Sequence, residues 1–103
     1  MASFRVTYSG ESIREIRGIR RYIAGKLHNP SAASQQADRI MSAAESLSVF
    51  PEMHRVRFQD SEGRDIRVFP VDNYLMLYSV DEDKHLVSIL HVVHGRRDLD
   101  SLI

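Results

Sequence analysis

Apolar residues gather in three β-rich runs in the last third of the chain and at helical spacing in two longer runs before them. Ile66 to Val71 and Tyr74 to Val80 flank Asp72-Asn73, a pair that tolerates the positive φ of a two-residue hairpin turn. His85 to Val93 follows the polar turn Asp81-Glu82-Asp83-Lys84. Three consecutive strands with short turns predict an antiparallel meander. Leu86-Val87-Ser88-Ile89-Leu90 is apolar on both faces, which places the last strand centrally with both sides covered. The meander ends in His94-Gly95-Arg96-Arg97, a compact cationic tip.

The first half reads differently. Phe4 to Tyr8 alternates like a short strand, with Phe4, Val6 and Tyr8 on one face. Ser9 is placed to cap a helix from Gly10 to Leu27, with Glu11 favoured in its first turn and Ile13, Ile16, Ile23 and Leu27 forming the apolar stripe. Asn29 and Pro30 suit the start of a second helix, Pro30 to Val49, whose Ala33, Ala37, Ile40, Met41, Ala44 and Leu47 repeat at helical spacing. The alanines allow close approach of a neighbouring helix, so the two form an antiparallel hairpin. Phe50-Pro51 ends the second helix, because the residue before proline is steered out of the α region. His54 to Phe58 reads either as a short strand or as an irregular extension. The order β-α-α-β-β-β predicts an α+β fold, a helical hairpin packed on one face of a small antiparallel sheet. The first strand is expected to join that sheet at a position the pattern leaves open.

Composition narrows the class. The chain has 103 residues, 43% of them hydrophobic, enough for one domain spanning 1–103 around one core. There is no cysteine, so disulfides and thiolate zinc sites are excluded. No apolar stretch approaches a membrane span and no signal peptide opens the chain, so no membrane partner is expected. The formal net charge is zero, so any nucleic-acid role must rest on a local patch.

Cations are unevenly spread. Arg14, Arg17 and Arg21 form a row on the first helix, read either as a solvated surface or as a contact for an acidic partner. Arg64, Arg67, Arg96 and Arg97, with His54, Arg55 and Arg57, are placed to converge on the sheet face left open by the helices. Guanidinium groups with a histidine suit RNA backbone cleavage, in which the arginines stabilise phosphorane charge and the histidine moves a proton. The bland alternative pairs the arginines with Asp60, Glu62, Asp65, Asp98 and Asp100. His91 and His94 fall on opposite faces of a regular strand, and His85 and His91 are too far apart to chelate one ion. No metal site and no cofactor are expected.

In this order and spacing, EIRGIRRYIAGKL, the alanine-rich helix ending SLSVFPEM, RVFPVDNYLMLYSVDE and ILHVVHGRRD resemble the RelE/ParE superfamily of toxins from type II toxin–antitoxin modules. The resemblance covers nearly the whole chain. It implies a small sheet against a helical hairpin and a cytoplasmic protein held inactive by a cognate antitoxin in a hetero-oligomer. RelE-like members cut ribosome-bound mRNA without a metal; in that reading Arg67, His94 and Arg97 are the catalytic candidates. That pattern, however, has an arginine where Leu75 follows Tyr74, and often an aromatic residue in the tail, here Asp98 to Ile103. Zero net charge is also unusual for a ribosome-directed nuclease. ParE-like members poison DNA gyrase, and YLMLYSV and VVHGRRD resemble them more closely. In that reading Arg64, Arg96 and Arg97 meet the target and Arg14, Arg17 and Arg21 meet the antitoxin. A third reading is a non-toxic interaction domain on the same scaffold.

Overall fold

The computed structural model describes residues 3–102. The chain runs β1 (Arg5–Tyr8), α1 (Gly10–Gly25), α2 (Pro30–Ser46), β2 (Val56–Gln59), β3 (Asp65–Val71), β4 (Tyr74–Asp81), β5 (Leu86–His94) and a single 3-10 turn at Leu99–Leu102. The helical hairpin and the three-strand meander stand as the pattern predicts. The segment expected at His54 to Phe58 forms a short strand only from Val56 on, Val56–Gln59, so the sheet has five strands in the order β1-β5-β4-β3-β2. Neighbours from β2 to β5 are antiparallel, whereas β1 pairs parallel with β5, Arg5 opposite Leu86 and Tyr8 opposite Ile89. The sheet is therefore mixed, and both ends of the chain meet in it.

Local chemistry sets the helix ends. Ser9 Oγ accepts the Ser12 N–H at the start of α1, and Asn29 Oδ1 accepts the Ala32 N–H at the start of α2, where Pro30 occupies the first turn. Each helix stops short of its expected end. After α1, His28 takes a φ of 49°, a left-handed step that reverses the chain before Pro30. After α2, the Leu47, Ser48 and Val49 N–H groups bond three residues back, to Ala44, Glu45 and Ser46, so the last turns tighten to 3-10 geometry ahead of Pro51.

The sheet buries both faces. Ile16, Ile40, Ala44 and Leu47 from the helices pack on Met76, Tyr78, Val87, Ile89 and Val92. On the other side Ile66, Val68, Leu77 and Val93 are covered with Phe58, Leu75 and Leu90 by Leu99 and Leu102 of the terminal 3-10 turn. The face expected to lie open is thus apolar and lidded by the tail. An extra residue, Leu90, bulges β5 where the register moves from Tyr78–Ile89 to Leu77–His91. It interrupts the strand's alternation between Ile89 and His91, whereas His91 and His94, both beyond the bulge and opposite Leu77 and Tyr74, keep the opposite faces that their spacing predicts.

β5 has nine residues and β1 only four. Beyond Tyr8 the outer edge of β5 finds its partners elsewhere. The Ser9 N–H donates to the Ile89 carbonyl, Ser9 Oγ donates to the Leu90 carbonyl at 2.8 Å, and the Val92 N–H donates to Glu15 Oε1 at 3.1 Å. Glu15 also lies 3.2 Å from His91 Nδ1. A helix carboxylate thus continues the ladder that the short strand leaves unfinished, and it holds α1 along the upper half of β5.

Two substitutions test this packing. Ile40→Ala removes a fully buried side chain between the layers and should cost about 2–5 kcal/mol in urea unfolding, whereas half-exposed Met41→Ala should change it by less than about 0.5 kcal/mol. Glu15→Ala leaves the buried Val92 N–H without an acceptor, an expected loss of about 1–3 kcal/mol in the same measurement.

Candidate functional site: a cationic tip over a groove

β5 delivers the tip. At its end His94 pairs with Tyr74 across the ladder, and their rings meet edge to face with centroids 5.8 Å apart. The chain then turns tightly. Gly95 N–H donates to the Asn73 carbonyl at 2.9 Å, His94 Nδ1 accepts the Arg96 N–H, and the Arg97 N–H donates to the His94 carbonyl. A Cβ at position 95 would come within 3.3 Å of the Asn73 oxygen, so glycine lets this turn sit against the β3–β4 turn. Arg96 and Arg97 are exposed and make no ion pair among the described residues. Asp98, next in the chain, turns its carboxylate to the Asp100 N–H.

Below the tip lies a groove of about 890 Å3 between the second half of α1, the start of α2, the β3–β4 turn and the end of β5. Its walls include Ile19, Tyr22, Ile23, Gln36, Arg39, Tyr74, Val92 and His94. Asp72 sits at φ 55° in the hairpin turn and accepts from Arg39 Nε at 2.7 Å and from Gln36 Nε2 at 2.9 Å, which ties the turn to α2. Those hydrogen bonds, Arg39 first and Gln36 second, hold the Asp72 carboxyl below its usual value. Burial, and then the neighbouring Tyr22, raise the Tyr74 phenol. Tyr22, Arg39 and Tyr74 were not singled out by the sequence pattern, because α1, α2 and β4 meet here only through the tertiary fold.

The cations expected to converge do not. Arg67 pairs with Tyr78 on β3–β4, four residues along β4 from the Tyr74–His94 pair, which at strand rise is roughly 13 Å. By register it lies on the helix side of the sheet, and its Nη1 donates to the His54 carbonyl at 2.7 Å. His54 stacks on Phe69 with centroids 3.9 Å apart, and burial lowers its pKa. Arg64 is engaged by Asp60 at 2.7 Å, in line with the ion-pair alternative. On α1, Arg14 bonds Glu11, whereas Arg17 and Arg21 are exposed and make no ion pair among the described residues. No group of three or more metal-ligating side chains occurs among the described residues, and no helix there is long and apolar enough to cross a membrane.

The family model for the ParE toxin of the type II toxin–antitoxin system parDE matches residues 6–99. The chain belongs to this ParE toxin family. Solved structures share the fold of this ParE-family toxin at low identity. One is the chromosomal ParDE toxin–antitoxin system of P. aeruginosa, with a TM-score of 0.73 and 12% identity over 91% of this chain and 98% of that one. Another is the RelBE2 toxin–antitoxin complex of Mycobacterium tuberculosis, with a TM-score of 0.65 and 17% identity over 89% and 98% of the two chains. A third is the archaeal RelE–RelB complex of Pyrococcus horikoshii, with a TM-score of 0.65 and 17% identity over 92% and 99%. No curated protein matches the chain by sequence. In this ParE-family chain the groove and the tip, rather than a basic sheet face, gather the exposed functional groups.

The Asp72 pairing has a pH signature. A carboxyl whose folded pKa lies below its unfolded value, about 3.9, stabilises the fold above that value, and the contribution is lost as pH falls through the folded value. Asp72→Asn keeps a residue tolerant of positive φ. It should unfold at a lower temperature than wild type at pH 6, with the gap closing as pH falls through the folded carboxyl's value.

Proposed function

We propose that this toxin acts in the cytoplasm on DNA gyrase by protein contact, through Arg96 and Arg97, and that a cognate antitoxin holds it inactive. The observation that carries the reading is the tip itself: two exposed guanidinium groups without carboxylate partners among the described residues, on a turn fixed by backbone bonds to Asn73 and His94. Arginines so placed suit a protein contact surface, since the guanidinium holds its donors in a planar fork that matches a carboxylate. Arg64, engaged by Asp60, contributes less to that surface.

The nuclease alternative is weaker on geometry. It needs a cation set around His94, and Arg67 stands several residues away along the sheet, bonded to a backbone carbonyl. His94 with Arg96 and Arg97 is what remains for mRNA cleavage, without an arginine at Leu75.

Neutralisation fits the neighbours, which are toxin–antitoxin complexes. The exposed row Arg14, Arg17 and Arg21 on α1 offers charge complementarity to an acidic antitoxin segment, and the outer edges of β1 and β2 are unpaired within the sheet.

Purified toxin should inhibit gyrase supercoiling, and Arg96→Ala/Arg97→Ala should need about 30-fold or more protein for the same inhibition while unfolding at the wild-type temperature. Untouched supercoiling with message cleaved in a translation mix would replace this reading with the nuclease. Arg14→Glu/Arg17→Glu/Arg21→Glu should slow antitoxin association by at least about tenfold at low salt, as read by stopped-flow fluorescence.

A further inference from the structure

We propose that the groove under the tip binds single-stranded nucleic acid, with bases stacked on Tyr22 and Tyr74 and phosphates held by Arg96 and Arg97. The inference goes beyond the gyrase reading and stands without it.

The arrangement of rings and charges is the argument. Tyr22 projects from α1 with 53% of its surface exposed, unusual for a large ring lining a groove whose floor is the aliphatic Ile19, Ile23 and Val92. Tyr74 and His94 stand on the opposite wall. A second hollow of about 610 Å3 lies on the outer side of α1 and shares Gly18 and Tyr22 with the groove. Arg21, Lys26 and His28 line it. Tyr22 thus separates two connected hollows, with Arg96 and Arg97 beyond one and Arg21 and Lys26 beyond the other. Gly18 and Gly25 leave open space along the path, with no heavy atom within 4 Å of a Cβ built at either.

Alternating rings and guanidinium groups along a surface track are what a single strand needs, because every base has a stackable face and its phosphates recur between bases. A paired duplex hides those faces. The carboxylates beside the track are occupied: Glu15 accepts from Val92 and contacts His91, Asp72 accepts from Arg39 and Gln36, and Asp98 accepts from Asp100. Of these, Asp72 is offset by the Arg39 cation, which reduces repulsion of a polyanion there. The neutral total charge is no obstacle, since Arg96 and Arg97 line the groove and Arg21 and Lys26 line the hollow beside it. An acidic amphipathic helix is the other occupant the groove's apolar floor would admit. The two occupants separate in the test below, since only the strand reading requires isolated oligonucleotides to bind.

The test is fluorescence anisotropy with the full chain and short fluorescein-labelled single-stranded DNA and RNA of mixed sequence, with duplex of the same sequence as a control. We expect single strands to bind at or below about 100 μM at low salt and more tightly than duplex. Tyr22→Ala should weaken binding roughly 5- to 150-fold and Tyr22→Phe should restore it. Arg96→Ala/Arg97→Ala should lower the log–log salt slope by about 1.4. The DNA and RNA arms tell which strand is preferred. No binding in either arm, or binding that Tyr22→Ala leaves unchanged, overturns the proposal. So does a Tyr22→Ala variant that loses only antitoxin affinity, since that outcome makes the groove a protein seat. Supercoiling assays on the same variants report separately on the gyrase reading, so the failure of one does not entail the failure of the other.

Discussion

β5 is the strand on which the molecule depends, and its outer edge needs hydrogen-bond acceptors and donors along its whole length. A buried strand cannot leave those groups unmet without a cost of order a kcal/mol or more each. β1 meets only the lower half. The rest is met by Ser9 and by the Glu15 carboxylate, both belonging to the segment that becomes α1. Completing the ladder therefore also positions the helix. With α1 held beside Val92, its second half lines a groove rather than lying flat on the sheet, and the arginine tip stands at the groove's rim.

Much of this architecture could be read in the sequence. Asp72-Asn73 between two β-rich runs marked the hairpin, and Asp72 does take the positive φ. Ser9, Asn29 and Pro30 marked the helix starts, and all three act in the first turns. The apolar run at Leu86 to Leu90 marked a strand with two covered faces. What escaped were features decided by contacts distant in sequence. The parallel seat of β1 depends on which strand edge remains free after the meander forms. The bulge at Leu90 depends on β4 and β5 together. Leu99 and Leu102, spaced three apart among Asp98, Asp100 and Ser101, were the available hint that the supposedly open face has a cover.

The candidate site was legible in one part only. Arg96 and Arg97 were visible as a cluster next to a strand end, and they are exposed there. The convergence with Arg67 and Arg64 failed because neighbouring strands share a face only where their registers coincide. Arg67 pairs far down β4 from His94, and Arg64 has a carboxylate four residues away. Tyr22 and Arg39 carried no signal, since a tyrosine or an arginine on an amphipathic helix is ordinary until the partner across the gap is known.

Parallel pairing of the earliest strand with the latest has a consequence for synthesis. Thr7 and Val87, bonded through Thr7 Oγ1, lie 80 residues apart, and β5 has no outer neighbour until β1 reaches it. A chain still emerging from the ribosome holds β1 without its mate, and the layered core cannot close. Closure of the layered core is thus a late, non-local event in folding, slower than the local hairpins within the meander.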